Sequence, residues 1–161
     1  MNPRYFIGGA IVIAAALAVG FPPRRNIATT IQIAAPPARV WSVLTDTKAY
    51  PTWNPEIAAL NGELTPGAML ENKQGYGKDQ MVFWPTVLVV KPNQELRWLG
   101  HLSAPRLFDA EHYFLLRPDG GGTRFTQGEH FRGVLLWVFD VNGLLPSFEA
   151  MNAALKARAE H

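Results

Sequence analysis

Hydrophobic and polar positions alternate most clearly over residues 107–132, where two runs of period two flank the turn Pro118-Asp119-Gly120-Gly121-Gly122. That period predicts two strands, each with one buried face. Proline pre-sets one turn angle and glycine adopts positive φ without a Cβ clash, so the chain can reverse within a few residues. Before the turn, Phe108, Ala110, His112, Phe114 and Leu116 share a face, leaving Asp109, Glu111, Tyr113, Leu115 and Arg117 on the other. After it, Thr123, Phe125, Gln127, Glu129 and Phe131 oppose Arg124, Thr126, His130 and Arg132. Residues directly opposite in a hairpin share a face, so joining the phenylalanine-bearing faces sets even positions of the first strand against odd positions of the second. With four residues in the loop, His112 then lies across from Gln127 or Glu129.

The same patterning organises the rest of the chain. Residues 27–34 alternate as a strand rich in β-branched side chains, and Pro36-Pro37 stops it. Val40, Trp41, Val43 and Leu44 follow at helical spacing and predict a short helix over 37–45, with a second broken helical piece over 46–54 turning Tyr50 and Trp53 inward. Six further strands are expected at 57–64, 68–74, 81–90, 95–102, 107–117 and 123–132, making seven in all. Their connections are short, so neighbours should be antiparallel. Pro85 cannot donate to a ladder and marks an edge, bulge or kink in the fourth. A long helix is expected over 147–160, with Phe148, Met151 and Leu155 on its apolar face and Ser147 as N-cap. Residues 134–145, VLLWVFDVNGLL, are apolar and read equally as a helix or as a lid over a pocket.

Composition narrows the classes. The chain of 161 residues, 48% hydrophobic and 17% charged, is long enough for one globular domain with a sizeable core. It has no cysteine, which removes disulfides, thiolate metal sites and cysteine nucleophiles. A net charge of +2 from scattered basic residues gives no stripe for nucleic acid, and none is expected as a partner. Residues 5–21, YFIGGAIVIAAALAVGF, carry no charge and form a separate N-terminal segment, residues 1–25, ahead of a domain at 26–161. The segment reads as a membrane anchor, short for a span, or as an export signal with Ala16-Leu17-Ala18 at the cleavage position. Either reading places the protein at a membrane or beyond it. The pair Arg24-Arg25 would hold its end in the cytoplasm, whereas export requires the reverse.

Candidate chemistry concentrates on the hairpin. His112, Gln127 and Glu129 direct imidazole, amide and carboxylate toward one apolar space. A buried histidine satisfied by its neighbours gives this pattern, and so does a small-molecule pocket with apolar walls and a few convergent polar groups. The acids and imidazoles of Asp109, Glu111, His112, Glu129 and His130 are split across both faces, so no metal site is expected, and no cofactor. The glycines at 120–122 open a strand, unlike a phosphate-binding loop, and no nucleophile-elbow pattern occurs.

The segments IQIAAPPARVWSVLTDTKAYPTWNPEI (31–57), GEHFRG (128–133) and FEAMNAALKARAE (148–160) resemble the START/polyketide-cyclase superfamily, the birch-pollen-allergen-like or helix-grip fold, over residues 26–161. The resemblance implies an α+β fold in which a seven-stranded curved antiparallel sheet wraps a long C-terminal helix, with two short helices between strands 1 and 2. It also implies a deep apolar cavity. Carried onto this chain, the cavity includes Trp98, Phe108, His112, Phe114, Phe125, Gln127, Glu129, Phe131, Met151 and Leu155. The expected function is binding or transport of a hydrophobic small molecule, lipid, sterol or polyketide-like. The alternatives are a cyclase, dehydratase or hydrolase using His112 and Glu129, and a membrane-tethered interaction domain. Gln127, Arg97 and Tyr113 are the candidates for stabilising developing charge, and of these Arg97 and Tyr113 fall on the strand faces opposite Trp98 and His112. Oligomeric state leaves no trace in the sequence.

Overall fold

The computed structural model describes residue 20 and residues 22–161. The apolar stretch at 5–21, with the anchor or export role expected of it, lies outside the described residues except for Gly20. Among the described residues no helix is long and apolar enough to cross a membrane.

Among the described residues eight strands form two antiparallel sheets, where alternation predicts seven strands and the resemblance a single sheet. The larger sheet runs β1 (Arg24–Ile33), β8 (Gly122–Arg132), β7 (Asp109–Asp119), β6 (Glu95–His101), β5 (Thr86–Lys91), and the smaller runs β2 (Ile57–Asn61), β3 (Glu71–Gln74), β4 (Met81–Phe83). The extra strand comes from the expected long strand at 81–90, which breaks at Trp84-Pro85 and sends its halves to different sheets. Pro85 has no N–H to offer a ladder, and its carbonyl accepts instead from Leu70 N at 2.8 Å.

Helix α1 (Pro37–Thr45) starts on Pro37 and buries Val40, Val43 and Leu44. A 3-10 turn at Thr47–Thr52 follows it and buries Tyr50, whose hydroxyl donates to Leu44 O at 2.6 Å while burial pushes its pKa up. The C-terminal helix α2 (Leu145–Glu160) begins two residues before the expected 147, so Ser147 lies in its first turn and caps nothing. Phe148, Met151, Asn152, Leu155 and Ala159 form its buried stripe against the large sheet. Residues 134–145 form no continuous helix. They make two 3-10 turns, Val134–Trp137 and Val141–Leu144, before α2 begins.

The hairpin at the centre of the large sheet closes on a two-residue turn, Gly120-Gly121, both at positive φ (57° and 85°), half the loop length expected. That fixes Asp119 opposite Gly122 and, counting back, His112 opposite Glu129. Even positions of β7 face odd positions of β8, as the pattern requires. Phe114, Leu116 and Phe125 thereby enter one core cluster with Leu96, Leu155, Ile33, Val40 and Leu44, all close to fully buried. Each large apolar side chain buried this way stabilises the fold by about 1.5–3 kcal/mol. A second cluster of Ile27, Phe131, Leu136, Val141 and Phe148 closes the other end of the sheet.

On the outer face, Gly128 is a glycine because Tyr113 lies across it. A Cβ at Gly128 would stand 2.3 Å from Tyr113 Cζ and Oη and 2.9 Å from Ile27 O. Arg97 caps this cluster 5.0 Å above the Tyr113 ring and pairs with both Glu95 and Glu111. The guanidinium of Arg97 holds the Glu95 carboxyl below the usual carboxylate range.

Two outcomes follow. Gly128→Ala should destabilise the fold by about 1–3 kcal/mol through overpacking, read as a lower urea midpoint; an unchanged midpoint would contradict this packing. A carboxyl whose folded pKa is depressed contributes stability that is lost as pH falls through the folded value. Glu95→Gln should therefore be less stable than the parent at pH 7, with the difference closing below about pH 4. A difference that does not vary with pH would exclude the ion pair as its source.

Candidate functional site

The inner face of β7 and β8 does not fill completely. Between the two sheets and the first half of α2 lies a cavity of about 420 Å³. Its walls are Trp98 from β6, Phe108, Ala110 and His112 from the β7 side, Gln127, Glu129 and Phe131 from β8, and Phe148 and Met151 from α2. The small sheet closes it with Ile57, Asn72 and Phe83. Most of this surface is apolar; His112, Gln127 and Glu129 form a polar cluster on β7 and β8, and Glu56, Asn72, Gln74, His101 and Ser147 add polar groups around the wall.

His112 is held on several sides. Trp98 stacks on the imidazole at 5.4 Å between ring centroids and 18° between planes, while Phe114 and Phe148 tilt against it at 4.7 and 5.1 Å. Gln127 Nε2 lies 3.2 Å from His112 Nε2 and donates to its lone pair, which leaves the ring proton on Nδ1. Nδ1 faces Glu129 Oε1 at 3.6 Å, too long for a direct hydrogen bond. The same Gln127 amide reaches Met151 Sδ at 3.5 Å. Its carbonyl Oε1 is buried with no partner among the described residues. Leaving a buried acceptor unsatisfied costs on the order of 1–3 kcal/mol. Across the cavity, Asn72 Oδ1 is also buried without a partner among the described residues.

The ten residues named from sequence divide in two. Trp98, Phe108, His112, Gln127, Glu129, Phe131 and Met151 line the cavity together. Phe114, Phe125 and Leu155 lie deeper, in the core cluster beneath it, and do not reach its surface. Arg97 and Tyr113 are on the outer face, Arg97 in ion pairs and Tyr113 against Gly128, so neither points a donor into the cavity. Among the described residues no group of three or more His, Cys, Asp or Glu gathers for a metal ion.

Several lining residues escape a reading by alternation. Asn72 and Phe83 sit on strands of four and three residues, too short for a period to declare itself. Phe139 and Leu144 come from irregular turns, which have no period at all. Phe148 belongs to the apolar stripe of α2, and only the position of the helix over the sheet separates it from ordinary core.

Residues 24–160 match the family model described as polyketide cyclase / dehydrase and lipid transport. No curated protein matches the sequence. Among solved structures the chain is similar to a protein from Chromobacterium violaceum, at TM-score 0.70 and 16% identity over 84% of this chain and 97% of that one. It is similar to the Zhui aromatase/cyclase from Streptomyces sp. R1128, at 0.67 and 17% over 86% and 94%. It is also similar to a point mutant of norcoclaurine synthase from Thalictrum flavum in complex with a transition-state analogue, at 0.63 and 12% over 86% and 95%. At such identities the likeness is one of fold: an antiparallel sheet gripping a long C-terminal helix. Because the matched region runs from the first residue of β1 to the last of α2, the chain belongs to the polyketide cyclase/dehydrase and lipid transport family.

Proposed function

We propose that this protein binds a hydrophobic small molecule in the cavity between its sheets, with the apolar body against Trp98, Phe131, Phe148 and Met151 and a polar end at His112, Gln127 and Glu129. The observation that carries this is the unpartnered Gln127 Oε1 beside an oriented imidazole. A ligand hydroxyl or amine in reach of that cluster donates to an acceptor that otherwise goes unsatisfied, so binding recovers what the empty site forfeits. The volume of about 420 Å³ suits a small ligand of lipid, sterol or polyketide-like character.

A cyclase, dehydratase or hydrolase reading has one observation in its favour, a histidine beside a carboxylate in the cavity wall, but the Nε2 lone pair a general base would use already accepts from Gln127. Of the groups that could steady developing charge, Arg97 and Tyr113 lie on the outer face, and Gln127, which does line the cavity, already spends its amide N–H on His112 and Met151. Binding without turnover therefore fits the arrangement better.

Ala110 lines the cavity, so Ala110→Phe places a ring in the space the ligand would occupy. Affinity for a neutral fluorescent apolar probe should fall by about tenfold or more, with thermal stability held or raised by the added packing. Undiminished probe binding by a folded variant would place the ligand elsewhere. His112→Phe should leave the fold near its parent stability while weakening long-chain alcohols more than the matching alkanes, measured by probe displacement. A loss on the order of 3–5 kcal/mol with no change in that preference would instead make His112 a structural partner of Glu129.

A further inference from the structure

Three of the large hydrophobic side chains that remain exposed stand side by side in the chain. Trp137, Val138 and Phe139 are consecutive and 68%, 86% and 47% exposed, at the end of the Val134–Trp137 turn. Phe139 N and Val138 N both donate to Leu135 O, which holds the turn in place, and the Phe139 ring packs edge-on against Phe108 of the cavity wall at 5.5 Å. Phe139, Leu102 and Met81 are each both exposed and part of the cavity lining, so together they form an apolar rim at its mouth. Three adjacent apolar side chains held in water beside an open apolar cavity call for a covering surface.

Cations lie beside the start of this turn. Arg24 pairs in register with Arg132, Gly133 N donates to Pro23 O, and Val134 N donates to Arg106 O, which sets four arginines, 24, 25, 106 and 132, around the start of the turn. None of the four forms an ion pair among the described residues, and Arg132 Nε is buried without a partner. The nearby acids are otherwise engaged: Asp109 accepts from Arg106 N and meets His101 Nδ1, while Asp140 accepts from Asn142. The uncharged sequence at 5–21 leads directly into Pro22, at the same pole of the domain.

We propose that this pole is a docking surface for an anionic lipid bilayer, with Trp137, Val138 and Phe139 inserting at the headgroup boundary, the four arginines on the phosphates, and the cavity mouth turned toward the membrane. Tryptophan and phenylalanine partition into that boundary, and arginine reaches anionic headgroups from beside it. A second copy of the chain fits less well, because two-fold pairing of this face would bring its own unpaired arginines together. The residues at 5–21 would tether the domain with this pole facing the membrane. Under the binding reading above, an apolar ligand could then pass between bilayer and cavity without crossing water.

The chain has no cysteine, so a single introduced thiol gives an unambiguous probe. The full chain carrying Val138→Cys, labelled with an environment-sensitive fluorophore, is mixed with phosphatidylcholine vesicles with and without phosphatidylglycerol, each containing doxyl-labelled lipid. Arg117→Cys, exposed near the Gly120-Gly121 turn at the far end of β7, is the control. The proposal expects the label at 138 to be quenched several-fold more than that at 117, and more strongly with phosphatidylglycerol present. Equal quenching at both positions, or none at 138, would overturn it. So would a label at 138 that becomes shielded with rising protein concentration in the absence of lipid, which would assign the face to a second copy. The readout is independent of ligand uptake, so it fails or holds separately from the binding reading.

Discussion

The pairing of β7 with β8 governs what this protein can hold, because side chains alternate across a strand and a slip of one residue would turn every inward group outward. Two glycines at positive φ set that pairing, since a two-residue turn admits one register between Asp119 and Gly122. His112 comes opposite Glu129 as a consequence, and Phe114 opposite Gln127. Next to the hairpin, β6 brings Trp98 opposite His112, and the imidazole is fixed between an indole, two phenyl rings and an amide. The polar cluster of the cavity is therefore a product of backbone register, and it is rigid because aromatic packing leaves the ring little room to turn.

The two faces of the sheet solve different problems with similar residues. On the outer face, toward the middle and the hairpin end, charged groups are matched: Arg97 lies between Glu95 and Glu111 and over Tyr113, and Arg124 reaches Asp119. On the inner face, the polar atoms are left incomplete, with acceptors of Gln127 and Asn72 lacking partners. A protein that buries unsatisfied acceptors beside an open apolar volume forgoes stability there, and such deficits collect at functional sites. The deeper residues Phe114, Phe125 and Leu155 supply the stability the cavity does not.

Much of this was legible from alternation alone. The hairpin, the parity of its pairing and the convergence of His112, Gln127 and Glu129 follow from period two, because long strands give that period room to repeat. The C-terminal helix was legible for the same reason at period 3.6, although its first turn hid behind Pro146, which starts a helix as readily as it ends one. What was not legible lies where no period operates. Pro85 marked a break in the fourth strand, yet only the fold shows that the break moves the chain from one sheet to another. Phe114, Phe125 and Leu155 share a face with the cavity residues, and alternation cannot tell how deep along that face the core ends and the cavity begins. The apolar run 134–145 was visible as composition, but its division into two turns with Trp137, Val138 and Phe139 turned to solvent depends on hydrogen bonds to Leu135.

The most direct test of the account is native mass spectrometry of the full chain purified from cells, followed by organic extraction and identification of what leaves it. The account predicts a stoichiometric hydrophobic passenger carrying a hydroxyl or amine, released on unfolding and reduced by filling the cavity. A clean mass for the protein alone, with no gain in thermal stability across a panel of lipids, sterols and polyketides, would contradict it.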